Sequence, residues 1–285
     1  MSLNGLPIAL SIAGFDPSGG AGVLADVRTF AAFGFRAVAA ITSVTFQNAT
    51  RVVGAVHQTG ETVRAQVIPL LEDHQIVCTK TGMLPTRQVI TEVARLFREC
   101  DLPSPVVDPV MISSSGHRLM EEDALELFVR ELLPLARLVT PNIPEAQTLT
   151  GIEIKSETQM RKSAAMLREM GARAVLIKGG HLRRQEANGR RQEAESEKSN
   201  KGLEPPEEAV DLLDDEGNVT TFRGEFLRGA ELHGSGCILS AAIAAGLGNG
   251  LKLEDSVRAA KSFVLEAIRN SRVARPADAK SYGPN

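Results

Sequence analysis

The feature that most constrains the fold is a repeated alternation between short apolar runs and longer segments with helical spacing. The apolar runs, read as buried strands, cover residues 7–13, 37–44, 76–80, 105–111, 138–140 and 173–177. Helices are expected over residues 23–33, 61–74, 86–98, 121–133, 156–170 and 253–272, and a hairpin over 209–222. This order predicts an α/β protein with three layers, α/β/α, around a mostly parallel central sheet.

Each predicted strand is followed by a polar or small residue. These residues are Asp16, Gln47, Thr81, Asp108, Asn142 and Lys178. In a parallel sheet the carboxyl ends of the strands share one edge, where ligands bind. Any single polar turn is ordinary, but six of them on one edge favour a binding site.

A second signal is the stretch Gly234-Ser235-Gly236-Cys237, which leads into an apolar, small-residue helix ending near Gly248. Glycines let a ligand approach the backbone, and Ser235 is expected as the N-cap. Unpaired N–H groups at a helix N-terminus suit a phosphate or a developing anion, and the same field favours the thiolate of Cys237. A tight turn into a core helix with an inert cysteine remains the alternative.

Composition limits the function classes. The chain has 285 residues and a net charge of −3, which offers no long-range attraction for nucleic acid or an anionic membrane. Three cysteines without a Cys-x-x-Cys motif encode neither a disulfide framework nor a zinc site. No apolar run approaches membrane-spanning length and the N-terminus does not resemble a signal peptide, so a cytoplasmic location is expected.

We expect one domain over residues 1–285, interrupted by a mobile charged insertion at 182–208 and ending in a frayed tail at 274–285. Asp16 and Asp26, near the first glycine-rich turn, are candidates to orient a small polar ligand. Asp26 reads equally well as a solvated helix residue.

The motifs together carry a family resemblance. In chain order they are Ala13-Gly14, Asp16-Pro17-Ser18-Gly19-Gly20-Ala21-Gly22, Gln47-Asn48, Lys80-Thr81-Gly82-Met83-Leu84, Val107-Asp108-Pro109-Val110-Met111, Thr140-Pro141-Asn142, Glu145-Ala146, Lys178-Gly179-Gly180-His181 and His233-Gly234 with Gly236-Cys237. The chain resembles the hydroxymethylpyrimidine/phosphomethylpyrimidine kinases of thiamine synthesis, in the ribokinase-like superfamily. The likeness extends from about residue 8 to residue 268, apart from the insertion.

The resemblance implies ATP and Mg²⁺ as cofactors. It assigns Gly234, Ser235, Gly236 and Cys237 to the anion hole, with Cys237 where most ribokinase relatives have an aspartate base. The other implied nucleotide and metal residues are Asn142, Glu145 and Asp108 for magnesium and phosphate, Lys178 for the ATP phosphates, and Lys261 near the adenine.

The resemblance also implies a small pyrimidine as substrate. The implied pocket residues are Gly14, Asp26, Gln47, Met83 and Val110. The Gln47 carboxamide can pair with an aminopyrimidine edge through both a donor and an acceptor. Phe15 and Phe46 depart from the family pattern beside this pocket and put the exact substrate in question.

Two other functions stay open at this point. One is a vitamin B6 kinase, because some of these share the Gly-x-Gly-Cys ending. The other is a non-catalytic ligand sensor on the same scaffold, against which the intact Asp108, Glu145, Lys178 and Cys237 argue. Assembly as a homodimer is left open.

Overall fold

A computed structural model describes residues 5–48, 51–113, 116–180, 208–225 and 233–273. Residues 182–207 of the predicted insertion and the predicted tail at 274–285 lie outside the described residues.

Nine strands form one mixed sheet in the order β3-β2-β1-β4-β5-β6-β7-β8-β9. They are β1 (Ile8–Phe15), β2 (Arg36–Gln47), β3 (Val52–His57), β4 (Ile76–Thr81), β5 (Val106–Val107), β6 (Leu138–Val139), β7 (Ala174–Ile177), β8 (Glu208–Asp215) and β9 (Asn218–Glu225). The pairings from β2 through β1 and β4 to β7 are parallel, whereas β3, β8 and β9 pair antiparallel at the two edges. The mostly parallel sheet is therefore confirmed.

Helices cover both faces of the sheet. They are α1 (Gly22–Ala32), α2 (Gly60–Asp73), α3 (Arg87–Glu99), α4 (Leu125–Leu127), α5 (Ile143–Thr150), α6 (Glu157–Glu169), α7 (Ser235–Gly248) and α8 (Leu253–Val273). The apolar side chains of α1, α7 and α8 form one core layer, and those of α2 to α6 form the other. The three-layer prediction is confirmed. None of the helices in the described ranges is both long enough and apolar enough to cross a membrane.

The strand pattern explains the two cores. In β1, Leu10 and Ile12 enter the core beneath α2 and α3, whereas Ala9 enters the core beneath α1 and α7. This is the period-two alternation of a strand buried on both faces, and it explains why β1 reads as a continuous apolar run.

The expected helix over 121–133 is wrong as a regular element. A 3₁₀ turn, the single turn α4, a π-helical turn at Phe128–Leu132 and a second 3₁₀ turn replace it. The buried pairs Leu127/Leu132 and Phe128/Leu133 are spaced five residues apart, which the i→i+5 bonds of a π turn place on one face.

One other difference concerns an element boundary, and two concern elements that were not predicted. The strand expected over 105–111 shrinks to β5, because Pro109 cannot donate to the ladder. The edge strand β3 and the short helix α5 were not predicted as elements. β3 is half exposed, so it lacks the apolar signature of the inner strands.

The end of β4 offers a stability prediction. Among the described residues, Thr81 Oγ1 is the one buried side-chain polar atom without a hydrogen-bond partner. We expect Thr81→Val to stabilise the fold by about 1 to 2 kcal/mol, because a methyl group removes the desolvated hydroxyl at nearly constant shape. Thr79→Val, which deletes the 2.7 Å bond to the Pro103 carbonyl, is the matched control and should destabilise. Urea titration of both variants decides; a loss of stability in Thr81→Val would contradict the assignment.

Candidate active site

The carboxyl ends of the parallel strands converge as predicted. The backbone N–H of Lys178 donates to the Pro141 carbonyl at 2.8 Å, and Asn142 and Lys178 form a parallel bridge. The ammonium of Lys178 lies 2.9 Å from Asp108 Oδ1. The ends of β5, β6 and β7 therefore meet at a single cluster of polar groups.

The start of α7 closes this cluster from above. Gly234 is the N-cap residue with φ of 78°, and the Ile238 N–H donates to its carbonyl at 2.9 Å. Ser235 is the first helical residue, so its predicted N-cap role is wrong: this cap needs the left-handed backbone that glycine adopts readily. A Cβ placed on Gly236 would lie 3.1 Å from Lys178 Nζ, which puts the loop directly over the lysine.

Cys237 is buried in the first turn of α7, and the expectation of a favoured thiolate is wrong. Burial raises the pKa of Cys237 to about 11. The Lys80 ammonium and the Gly22 N–H lower this pKa, and Asp108 and Asp26 raise it. Desolvation thus outweighs the field of the helix N-terminus, and the side chain is a thiol at neutral pH.

Beneath Cys237 lies a buried ion pair that the sequence did not reveal. The Lys80 ammonium is 2.9 and 2.8 Å from the two oxygens of Asp26, and Ser11 Oγ donates to Asp26 at 2.6 Å. Both charged side chains are 0% exposed, so the reading of Asp26 as a solvated residue is wrong. Burial opposes the charge on Lys80, but Asp26 outweighs it and raises the Lys80 pKa. Gly82 makes room: a Cβ there would lie 2.8 Å from Lys80 Nζ.

Asp108 is held as a carboxylate. Burial alone would raise its pKa, but Lys178 and Lys80 outweigh burial and hold the pKa below its usual value. Thr140 Oγ1 also donates to Asp108 Oδ1 at 3.2 Å. The same ion pair, together with Glu145, raises the pKa of Lys178 despite its burial.

Asn142 and Glu145 form a reciprocal cap at the start of α5. Asn142 Oδ1 accepts from the Glu145 N–H at 2.9 Å, and Glu145 Oε2 accepts from the Asn142 N–H at 2.8 Å. Glu145 is 7% exposed. The Glu145 pKa is raised to about 7, chiefly by burial and also by the charge of Asp108, against the opposing effect of Lys178.

These carboxylates fit a magnesium ion. Within the described ranges, no group of three or more His, Cys, Asp or Glu side chains forms a metal cage. Mg²⁺ needs only one or two carboxylates, because it retains waters and takes phosphate oxygens. The repulsion between Asp108 and Glu145 is the kind that a bound divalent cation relieves.

The predicted pocket residues divide into two groups. A Cβ on Gly14 would lie 2.9 Å from Met83 Sδ, so the residues are in contact, and Val110 is half-buried in the loop after β5. Gln47 ends β2 and its side chain hydrogen-bonds Asp16. Asp26, by contrast, lies below the site, where its carboxylate is hydrogen-bonded to Lys80 and Ser11. The contact of the five predicted pocket residues with a pyrimidine stays a prediction.

Two remaining predictions concern Lys261 and Phe46, at the periphery of the site. Lys261 on α8 forms an ion pair with Asp211, which also accepts the Gly179 N–H at 2.8 Å. Lys261 therefore lies behind the loop that carries Lys178, and its proximity to an adenine stays a prediction. Phe46 is 49% exposed and its ring packs over Gly54 of β3.

A glycine-lined anion site at a helix N-terminus, beside a lysine and two acids on the carboxyl edge of an α/β/α sandwich, defines a ribokinase-like small-molecule kinase. A model of the family described as phosphomethylpyrimidine kinase matches residues 16–280. The chain belongs to this family.

Individual relatives agree. The hydroxymethylpyrimidine/phosphomethylpyrimidine kinase of Streptomyces coelicolor is 38% identical over 262 residues, which is 92% of this chain and 88% of that protein. The crystal structure of phosphomethylpyrimidine kinase from Clostridium difficile has a TM-score of 0.74 and 32% identity, covering 92% of this chain and 99% of that one. An ADP complex of Bacillus subtilis pyridoxal kinase has a TM-score of 0.78 and 30% identity, covering 96% and 95%.

Proposed function

We propose that this protein transfers phosphate from ATP to 4-amino-5-hydroxymethyl-2-methylpyrimidine and then to its monophosphate, for thiamine synthesis. The observation that carries the proposal is the meeting of Gly234–Cys237 with the Asp108–Lys178 pair, in a chain of this family. The ADP complex of the pyridoxal kinase neighbour supports ATP as the donor.

The mechanism follows from charge and position. In this proposal the N–H groups at the start of α7 stabilise the negative charge that develops on the transferring phosphoryl group. Lys178 is paired with Asp108 in this structure and is the residue that would hold phosphate oxygens of ATP. Asp108 and Glu145 are the residues that would hold Mg²⁺, which when bound neutralises phosphate charge.

In this proposal Cys237 takes the proton of the substrate alcohol. Its raised pKa makes the thiolate scarce in the free protein but strongly basic once formed. Lys80, fixed by Asp26, supplies a permanent positive charge beneath it. The site thus combines a buried base with cations that are held in place before substrate arrives.

The second candidate function is vitamin B6 phosphorylation, which the similarity to Bacillus subtilis pyridoxal kinase favours. Turnover with Mg-ATP is measured side by side on hydroxymethylpyrimidine, its monophosphate, pyridoxal and pyridoxine. We expect the two pyrimidines to be preferred in kcat/KM. A preference for pyridoxal would favour the vitamin B6 kinase over the pyrimidine kinase. Binding of these compounds without turnover of any of them would favour the non-catalytic ligand sensor.

The metal and phosphate roles give a separate prediction. Glu145→Gln and Asp108→Asn should each lower kcat by about 10- to 100-fold and shift the magnesium dependence to higher concentration, because each removes a carboxylate available to the ion. Lys178→Ala should raise the KM for ATP more than that for the pyrimidine, because the ammonium is a point charge for phosphates.

Asp214→Asn is the matched control for these acids. Asp214 is 3% exposed and pairs with Arg168. It lies on β8 opposite Val175, near the amino-terminal end of β7, whereas the site is at the carboxyl ends of the strands. The Asp214→Asn variant should be less stable than the parent protein but show the same magnesium dependence. Loss of pyrimidine affinity with an unchanged magnesium dependence in Glu145→Gln would contradict the assignment.

We also propose a cytoplasmic location, which is supported by three cysteines that are all free.

A further inference from the structure

The loop between β1 and α1 carries a carboxylate with an unusual set of partners. Asp16 is 2% exposed. Its Oδ1 accepts from the Ser18 N–H at 2.8 Å and from Ser18 Oγ at 2.7 Å, and its Oδ2 accepts from the Ala21 N–H at 2.9 Å. Burial raises the Asp16 pKa, but the hydrogen bonds outweigh it and hold the pKa below its usual value.

One further partner comes from the far end of the chain. His233 Nε2 lies 3.0 Å from Asp16 Oδ2, across a separation of 217 residues. Because an ionised carboxylate only accepts, the Nε2–H of His233 is the donor. The bonds from Ser18 and Ala21 already close the local turn, so the histidine bond serves the segment that contains His233.

That segment is the entrance to the anion hole. His233 directly precedes Gly234, and its ring covers Gly20: a Cβ there would lie 2.3 Å from His233 Cδ2. At the next position, a Cβ on Gly234 would lie 2.1 Å from the Gly20 carbonyl oxygen. His233 and Gly234 are thus in close contact with the β1–α1 loop at Gly20. The same loop also contacts the start of α7 through the hydrogen bond from the Gly22 N–H to Cys237.

We propose that Asp16 and His233 are positioning residues for phosphoryl transfer: their hydrogen bond fixes the start of α7 over the β1–α1 loop. This role rests on the proposed function. Asp16 also accepts a hydrogen bond from Gln47, the residue expected to read the pyrimidine. One carboxylate therefore holds both the anion hole and the substrate-reading side chain.

The test compares His233→Ala with His233→Gln, whose amide N–H can reach the position of Nε2. We expect His233→Ala to lower kcat by about 10- to 100-fold for the alcohol and for the monophosphate alike, because misplacing the anion hole by a fraction of an ångström affects both transfers. Pyrimidine Kd should change less than about threefold, and His233→Gln should recover most of kcat.

Ser18→Ala is the matched control, because it deletes another hydrogen bond to the same carboxylate. It should lower the melting temperature and leave kcat within about twofold of the parent. If His233→Ala keeps full kcat while losing stability as Ser18→Ala does, or if His233→Gln is as impaired as His233→Ala, the proposal is overturned.

A readout without substrate separates this proposal from the proposed function. The Ile238 amide, bonded to the Gly234 carbonyl, reports closure of the first turn of α7. We expect faster hydrogen exchange at Ile238 in His233→Ala and not in His233→Gln or Ser18→Ala. Unchanged exchange would overturn the positioning role even if the protein phosphorylates pyrimidines. Faster exchange in a protein that phosphorylates none would overturn only the proposed function.

Discussion

Replacing Cys237 with alanine is expected to lower phosphorylation of the free alcohol by about 10²- to 10⁴-fold, while damaging phosphorylation of the monophosphate far less. An alcohol must lose its proton as it attacks, so a positioned base matters. A phosphate monoester already carries a charge of about −1.5 to −2 at pH 7, so its oxygen needs no base. The anion-hole N–H groups belong to the backbone and survive the substitution, so ATP binding should persist.

The two half-reactions, measured separately, decide this prediction, and Cys237→Ser is the control. Serine keeps a small polar side chain facing the Gly22 N–H but is a far weaker acid than a thiol. If Cys237 is the base, both variants lose the alcohol reaction; if the thiol only fills space, serine should restore it. Equal losses in the two half-reactions would mean that the thiol shapes the loop.

The pH profile supplies a further check on Cys237. Because its pKa lies at about 11, the thiolate population grows as the pH rises through the range from 7 to 9. The alcohol rate should therefore rise over this range more steeply than the monophosphate rate. The Cys237→Ala variant should lose that difference between the slopes.

The second large effect is expected from Gly234→Ala, which should lower kcat by about 10²- to 10³-fold in both half-reactions. Two causes act together. A residue with a Cβ resists φ of 78°, and the new atom would lie 2.1 Å from the Gly20 carbonyl oxygen and 2.8 Å from Ala21 Cα. Both atoms belong to the backbone of the β1–α1 loop, which cannot yield as a flexible side chain can, so the start of α7 must move.

Gly250→Ala separates these two causes. Gly250 has φ of 81°, but nothing lies within 4 Å of the position where its Cβ would be. It should lose about 1 to 2 kcal/mol of stability from the left-handed backbone alone and keep full kcat. Steady-state kinetics and urea unfolding of the pair test this. Equal kcat in the two variants would show that contact with Gly20 does not position the anion hole.

The sequence predicts the elements whose apolar residues recur at the regular spacing of a strand or a helix. The buried inner strands and their polar ends were readable because each strand end follows an apolar run, and the hairpin of β8 and β9 surrounds Asp214–Gly217, an evident turn. The contact between Lys178 and Asp108 arises because these residues follow two parallel strands, β7 and β5, that are separated only by β6. The residues of the site are therefore close together in the sheet although they are far apart in the sequence.

What escaped prediction depends on three-dimensional burial. The Lys80–Asp26 pair joins β4 to α1 across 54 residues, and neither residue signals the other in the chain. The rise in the Cys237 pKa depends on how deeply α7 packs, which a helix-terminus argument does not measure. The bond between His233 and Asp16 gives no signal in the sequence either, because Asp16 lies in a turn that looks self-sufficient.

The bond between Asp16 and His233 also bears on when the protein becomes active during its own synthesis. The strands β1 to β7 emerge from the ribosome before α7, which packs against one face of the sheet. His233, which leads into the anion hole, lies 217 residues after the Asp16 carboxylate that positions it. Because a domain folds as a unit, a nascent or prematurely terminated polypeptide that ends before α7 lacks the anion hole that the proposed phosphoryl transfer requires.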